Sequence, residues 1–223
     1  MRNAGVGLWL LFASWGAAAQ ACTLDLNVSA EDCQGVVGYG GGSTPLVGSG
    51  LGVASITGTD SPLHPDQVLN LMGGQLDFTT GAFSGTAGGT GWNFAKGGSV
   101  SVTGAIPSLG IAAGTVLLEG SFTGTTTVRP QDASDLKALG ATSLHVVNPQ
   151  LASYLGLSTG STISSRVSDI FHAQGTPGSS FVSECPTSGE VTVPEPGMIE
   201  LYASTLLGLT AWGRRRLRAR RPA

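Results

Sequence analysis

One stretch of the sequence has the residue types and spacing of a catalytic nucleophile turn, Gly156-Leu157-Ser158-Thr159-Gly160. A Gly-x-Ser-x-Gly nucleophile needs a strand before it and a helix after it, because that turn holds the serine hydroxyl above the edge of a sheet. Here the pattern predicts a helix before the turn and a strand after it. The order is reversed, so we expect no catalytic role for Ser158.

The remaining residues of catalytic or metal-binding type are scattered. His172 lies three residues from Asp169 and His64 lies two residues from Asp66, whereas His145 has no acid nearby in sequence. A single histidine among strand residues is more often a surface or edge residue than a general base. Two aspartates in one loop offer at most a weak calcium site, because the other ligands of a calcium loop are missing: Asp132 and Asp135. We therefore predict no catalytic residues, no cofactor and no metal.

An alternative function remains open at this point. The chain would then be an extracellular hydrolase that acts on a polysaccharide or an ester. Its paired carboxylates would have to be brought together by folding, about 5 to 10 Å apart in a cleft.

Trp92 is the aromatic residue best suited to bind a sugar, because it follows a glycine-rich segment and precedes Asn93 and Phe94. An indole face can stack on a sugar ring. In the other interpretation, which we favour, the side chain folds back and anchors the loop.

The three cysteines predict one disulfide with one cysteine left over, since an exported chain meets an oxidising compartment. A bond between Cys33 and Cys185 would close a loop around nearly the whole exported part of the chain. In the chain-entropy model such a loop contributes roughly 4 to 5 kcal/mol. A local bond between Cys22 and Cys33 is the competing arrangement.

The elements between these residues are mostly strands, short runs of Val, Leu, Ile, Phe and Thr separated by Gly, Ser and Pro. Two short helices are predicted in loops, Gln131 to Leu139 and Pro149 to Leu155, each ending before a glycine. The predicted fold is all-β, a single β-sandwich-like domain with short loop helices, and a closed barrel is the alternative. The predicted strands are Leu24 to Val28, Gly35 to Tyr39, Leu51 to Thr57, Gln75 to Thr79, Ser99 to Thr103, Thr115 to Phe122, Thr125 to Arg129, Ser143 to Val147, Thr162 to His172 and Glu190 to Val193.

Residues 1–21 have the pattern of a secretory signal peptide. Arg2 supplies the positive end, Val6 to Trp15 the apolar run, and Ala19-Gln20-Ala21 the small-x-small cleavage site. We expect cleavage after Ala21 and export of the chain.

Charge divides sharply along the sequence. Residues 22–193 contain four basic and twelve acidic residues, a net charge of −8, whereas the whole chain carries only −3. An acidic exported domain lacks the cations that nucleic acids or anionic lipids require. We therefore expect no nucleic-acid partner.

The last thirty residues have three distinct parts. Pro194-Glu195-Pro196 is a stiff, extended segment, since proline removes backbone donors and disfavours helix before it. Met198 to Gly213 would form about 24 Å of helix, somewhat short of a bilayer core of about 30 Å. A basic segment follows, 214–221, which the positive-inside rule places in the cytoplasm. Its six arginines are Arg214, Arg215, Arg216, Arg218, Arg220 and Arg221.

This order of motif, helix and basic end resembles the PEP-CTERM sorting signal of Gram-negative bacteria that make exopolysaccharide or biofilm matrix. The resemblance covers residues 194–223 and departs from the family pattern at Glu200, inside the apolar segment. It implies that an exosortase, a membrane protease and transpeptidase, recognises Pro194, Glu195 and Pro196 and cuts near them.

The resemblance also implies a location and a role. The chain would be an inner-membrane anchored intermediate and then a protein of the outer surface or extracellular matrix. We expect a non-enzymatic, structural or adhesive role for residues 22–193, with exosortase and exopolysaccharide as partners.

Overall fold

The computed structural model describes residues 22–28, 34–132, 134–183 and 185–192. The predicted signal peptide and the predicted sorting signal both lie outside these residues. None of the helices in the described ranges is long and apolar enough to cross a bilayer.

The described residues form twelve strands, one α-helix and a short 3-10 turn at Pro107–Leu109, so the all-β prediction is confirmed. The α-helix, α1, spans Pro149–Leu155. The strands are β1 Thr23–Val28, β2 Val36–Tyr39, β3 Pro45–Thr59, β4 Gln67–Thr86, β5 Trp92–Phe94, β6 Gly97–Ile106, β7 Ile111–Phe122, β8 Thr126–Pro130, β9 Asp135–Val146, β10 Thr162–His172, β11 Phe181–Val182 and β12 Cys185–Thr192.

All twelve strands belong to one antiparallel sheet that closes on itself. The sheet runs in the order β11-β2-β3-β1-β12-β10-β9-β7-β6-β4-β5-β8, and β3 also pairs with β4 while β9 also pairs with β8. The contact between β3 and β4 closes a ring of eight strands: β1, β12, β10, β9, β7, β6, β4 and β3. Side chains alternate between an inner face, which forms the core, and an outer face in contact with solvent.

Strand β9 shows this alternation clearly, and it corrects one prediction. Leu136, Ala138 and each second residue after them point inward and are buried. The sequence predicted a helix over Gln131 to Leu139, and this prediction is wrong. The glycine taken as a helix stop, Gly140, lies inside the strand, where a Cβ would stand 2.7 Å from both the Phe122 ring and the Thr126 hydroxyl.

Helix α1 has the predicted bounds. The Asn148 side chain accepts a hydrogen bond from the Leu151 amide at 2.9 Å, Pro149 occupies the first turn, and Gly156 ends the helix in the left-handed conformation. Leu151, Ala152 and Leu155 are buried, so α1 covers one end of the ring.

The two chain ends of the domain leave from the same end of the ring. In the pair of β1 with β12, Leu26 lies opposite Val191, so the start of β1 is next to the end of β12. We call this the terminal end. Strand β10 runs away from it, since Arg166 lies opposite Thr192 whereas His172 lies opposite Cys185.

The other end of the ring is formed by turns, among them the turn between β8 and β9, and we call it the hairpin end. An aromatic cluster fills the core there. Tyr39 packs against Phe83, Phe94 and Phe181, with ring centroids 5.2 to 6.0 Å apart. Strand β11, which carries Phe181, pairs with β2 and brings this ring over the cluster.

Candidate functional site

The predicted sorting motif begins just after the last described strand. β12 ends at Thr192, and Pro194, Glu195 and Pro196 lie outside the described residues, as do the predicted membrane helix and the six tail arginines. These assignments stay predictions. The fold adds only the position from which the tail departs, beside the start of β1.

The predicted disulfide also stays a prediction. Cys33 lies outside the described residues, and Cys185 opens β12, where its backbone pairs with His172. The third cysteine, Cys22, is buried before β1. Burial raises the pKa of its thiol to about 11, and the charges of Asp60 and Asp25 add to the effect.

His172 has a carboxylate partner, but a different one from its neighbour in sequence. Its Nδ1 lies 2.7 Å from Asp135 Oδ1, across the pair of β10 with β9. Asp169 points to the inner face whereas His172 points outward, because three residues along a strand reverse the face. This contact is partly exposed to solvent, with 44% of the histidine side chain accessible.

His64 connects a loop to α1. Its ring stacks on Tyr154 at 3.9 Å, and its Nδ1 lies 2.6 Å from the Tyr154 carbonyl oxygen. A carbonyl can only accept, so Nδ1 carries the proton. This contact gives His64 a structural role at the terminal end.

The aspartates considered for calcium are used by the protein itself. Asp132 Oδ1 accepts hydrogen bonds from the amides of Ser134 and Asp135, both at 2.8 Å, and these bonds lower the pKa of Asp132. This arrangement shapes the β8–β9 turn. Among the residues that the structure describes, no group of three or more His, Cys, Asp or Glu side chains is placed to hold a metal ion.

Ser158 lies on a surface turn between α1 and β10. Its carbonyl accepts hydrogen bonds from the Ser161 amide at 3.0 Å and the Ser161 hydroxyl at 2.6 Å. A helix precedes the turn and a strand follows it, the reverse of a nucleophile turn. The order expected from the sequence is confirmed.

Trp92 is fully buried and cannot present its ring to a sugar. Its Nε1 donates to the Ser179 carbonyl at 3.0 Å, and its ring meets Phe181 edge to face at 5.0 Å. The loop-anchor interpretation is therefore the one that holds. Trp92 also begins β5, a strand that the sequence did not predict, because glycines precede it.

Asp169 is a carboxylate inside the core. It is 1% exposed, and within the part of the chain that the structure describes neither of its oxygens has a well-aligned hydrogen-bond partner. Burial raises its pKa from 3.8 to about 7, and the nearby Ile170 amide opposes this only in part. Its neighbours across the sheet are small, Ala138 on β9 and Gly189 on β12.

A groove of about 490 Å³ runs along the outer face of β8 and β9, near the hairpin end. Arg129 and Lys137 lie directly opposite each other across the two strands. Neither Arg129 nor Lys137 has an ion-pair partner among the described residues. The nearby carboxylate of Asp135 contacts His172 instead. The other lining residues are uncharged: Thr125, Thr127, Pro130, Gln131, Leu139, Gly140 and Ala141.

The sequence did not single out this pair of cations. Arg129 ends one predicted strand, but Lys137 was placed on a predicted helix, so the two were not expected to face each other. A turn signal was present in Gln131-Asp132-Ala133-Ser134, since Asp and Ser favour turns. If the sequence had been interpreted as two strands joined by that turn, residues 129 and 137 would have been expected to lie opposite each other.

The hydrolase alternative requires a groove lined by paired carboxylates. Four grooves stand out in the described part of the chain, and no aspartate or glutamate lines any of them. The expected non-enzymatic role stays a prediction.

Comparison with known proteins yields no match for this chain, whether with protein-family models, curated proteins or solved structures.

Proposed function

We propose that this chain is an exported protein of the cell surface or extracellular matrix, sorted by an exosortase through Pro194-Glu195-Pro196. Residues 22–193 form its cargo, an all-β domain with a structural or adhesive role in exopolysaccharide. The observation that carries the proposal is the tripartite C-terminal segment, with its motif, apolar stretch and six arginines in the order of a PEP-CTERM signal.

The arrangement of the chain ends supports the proposal. β1 and β12 are antiparallel neighbours, so Cys22, which follows the predicted signal cleavage, and Thr192, the last described residue before the motif, lie at one end of the ring. A domain with both ends at one pole can fold outside the membrane while either terminal segment is still inserted in it.

Strand β12 is the last described element before the motif. Its residues pair with β1 on one side and with β10 on the other, so the chain is held by hydrogen bonds up to Thr192. The motif follows after one further residue, Val193. In this proposal the last described strand therefore ends two positions before the first residue of the segment that the exosortase reads.

The test is the C-terminus of the mature protein. The full chain is expressed in a Gram-negative bacterium that has an exosortase, and the surface fraction is examined by mass spectrometry. We expect the chain to end near Pro196 and to lack the tail arginines. An intact Arg221 on protein that has reached the surface contradicts the proposal.

A matched pair of substitutions tests the motif itself. Glu195→Gln removes the carboxylate of the motif, and we expect unprocessed protein to accumulate in the inner membrane. Glu200→Gln makes the same chemical change five residues later, outside the motif, and should leave processing as in the wild type. Equal loss of processing in both variants would argue against recognition of Glu195.

A further inference from the structure

We infer that the groove on the outer face of β8 and β9 binds a carboxylate-bearing polysaccharide through Arg129 and Lys137. This inference names a ligand class for the adhesive role and in that respect rests on the proposed function. The groove itself is defined by the fold and does not depend on how the chain reaches the surface.

The charges of the groove are the first argument. Side chains directly opposite each other on antiparallel strands have Cβ atoms about 5 Å apart, and like charges in such positions repel. Arg129 and Lys137 occupy such positions, and none of the described residues that line the groove is acidic. A bound carboxylate would relieve this repulsion and accept charge-assisted hydrogen bonds from both side chains.

The nearest carboxylate of the protein does not neutralise the pair. Asp135 is on the same face of β9, two residues before Lys137, but its Oδ1 is held 2.7 Å from His172 Nδ1 on β10. The other acid of the turn, Asp132, has its Oδ1 bound to the amides of Ser134 and Asp135. Both acids of the turn are thus directed to partners within the protein.

The remaining surface of the groove suits a sugar more than a simple ion. Its volume of about 490 Å³ lies within the usual range for organic ligands, about 300 to 1,000 Å³. Leu139 is 47% exposed and, with Ala141, gives an apolar surface for the C–H face of a ring. Thr125 and Gln131 place a hydroxyl and an amide at the side of that surface, where sugar hydroxyls can pair with them.

Thr127 gives the centre of the groove a defined polar geometry. Its hydroxyl donates to Asn93 Oδ1 on β5 at 3.0 Å, so its lone pairs remain available to a ligand hydroxyl. β5 pairs with β8, which continues the polar surface beyond the groove. A chain of several sugars could therefore follow this face of the sheet.

The overall charge of the domain favours a glycan over a nucleic acid. Duplex DNA carries one charge per about 1.7 Å, and proteins that bind it neutralise many phosphates. Residues 22–193 carry a net charge of −8, and the described lining of the groove includes two cations. A polysaccharide with one carboxylate per sugar or fewer has a lower charge density than duplex DNA. The acidic domain therefore repels it less, and Arg129 and Lys137 are enough to pair with its carboxylates.

The position of the groove suits a protein held by its tail. Lys137 lies opposite Ile170, and Ile170 lies opposite Ser188, whereas the tail departs after Thr192. Four residues of strand separate the two levels, about 13 Å at roughly 3.3 Å per residue. The groove therefore lies toward the hairpin end, away from the anchor.

The test measures binding of the full chain in detergent to immobilised polygalacturonate and to dextran, a neutral polysaccharide. In every version of the protein the six tail arginines are replaced by glutamine, so that the tail cannot bind the polyanion. We expect binding to polygalacturonate that weakens with added salt, and little binding to dextran.

Single substitutions then locate the site. Arg129→Gln and Lys137→Gln should each weaken binding about tenfold, the loss expected for one charge-assisted hydrogen bond. Lys96→Gln is the matched control, because Lys96 is exposed outside the groove and its substitution removes the same charge. It should change the affinity by no more than about twofold.

Several results would overturn the inference: no binding to polygalacturonate, equal binding to dextran, equal losses in Lys96→Gln and Lys137→Gln, or tighter binding of duplex DNA. The assay uses unprocessed protein, so it can fail while the sorting test succeeds. The sorting test reads only the C-terminus and can fail while the groove binds its glycan.

Discussion

On strands β8 to β10, two cations of the outer face and one carboxylate of the inner face have no ion-pair partner among the described residues. Arg129 and Lys137 face each other on the outer face, whereas Asp169 points into the core. Lys137 lies opposite Ile170, the residue next to Asp169, yet side-chain alternation places the ammonium group and the carboxylate on opposite sides of the sheet.

The difference between the faces shows what solvent does to an unpaired charge. Water solvates the outer cations, so their mutual repulsion costs little and they stay available to a ligand. The inner carboxylate has lost its water without gaining a well-aligned hydrogen bond from the described residues, and its pKa has risen to about 7. The inner charge should therefore determine stability, and the outer charges should determine binding.

The largest expected effect is from Asp169→Asn. The rise in pKa from 3.8 to about 7 corresponds to roughly 4 kcal/mol, at about 1.4 kcal/mol per pH unit. At about pH 8 we expect the variant to unfold with a free energy higher than that of the wild type by about 3 to 4 kcal/mol. Chemical denaturation followed by circular dichroism measures this difference.

Asp66→Asn is the control for that substitution. Asp66 is exposed and has φ 59°, a conformation that asparagine also tolerates. The free energy of unfolding of the Asp66→Asn variant should differ from that of the wild type by less than about 0.5 kcal/mol. A destabilised Asp169→Asn variant at the same pH would mean that the carboxylate has a stabilising contact.

The next effect is a pH dependence of the wild type. A carboxyl group whose pKa is higher in the folded state stabilises the fold below its unfolded pKa, and this contribution is lost as pH rises through the folded pKa. Between about pH 5 and pH 7 we expect the free energy of unfolding to fall by about 2 kcal/mol. Asp132 does not interfere, because its pKa lies below 3.8 and its titration belongs to lower pH.

The same measurement on Asp169→Asn tests the cause. The slope between about pH 5 and pH 7 should disappear in the variant, since the substitution removes the buried carboxyl group whose pKa is raised. An equal slope in both proteins would assign the pH dependence to another group.

The smallest expected effect is on the outer face. Arg129→Gln and Lys137→Gln should each change the free energy of unfolding by less than about 0.5 kcal/mol. The change should be a slight increase, because each substitution removes the repulsion between the two cations. The measurement is chemical denaturation at about pH 8. A loss above about 1 kcal/mol in either variant would show that these side chains support the fold.

Much of the strand content was predictable because alternating and β-branched residues mark strands locally. The strand from Thr162 to His172 has the predicted bounds, and each of the other predicted strands overlaps an observed one. Strand lengths were underestimated, since glycines were taken as ends. Gly81 lies inside β4, where a Cβ would stand 2.4 Å from the Lys96 carbonyl oxygen, so this glycine marks a close approach of backbones.

The buried acid had a signal in the sequence that pairwise motif reasoning missed. Within β10 the inward positions are Ile163, Ser165, Val167, Asp169 and Phe171, so the aspartate lies in phase with apolar residues. The alternation of residues along β10 shows that Asp169 points inward. It does not show whether another strand supplies a partner for the carboxylate. The pairing of Arg129 with Lys137 depends on the register of β8 and β9. It could not be predicted once Lys137 had been assigned to a helix.

The adjacency of β1 and β12 also has a mechanical consequence. In the proposed setting, a polymer held in the groove and an anchor held by the tail pull along the strands, through β9, β10 and β12. Antiparallel hydrogen bonds run perpendicular to that direction, so the load falls on many of them at once. The domain would then resist tension by shear between strands, and the first contacts to bear it would be those between β12 and its neighbours β1 and β10.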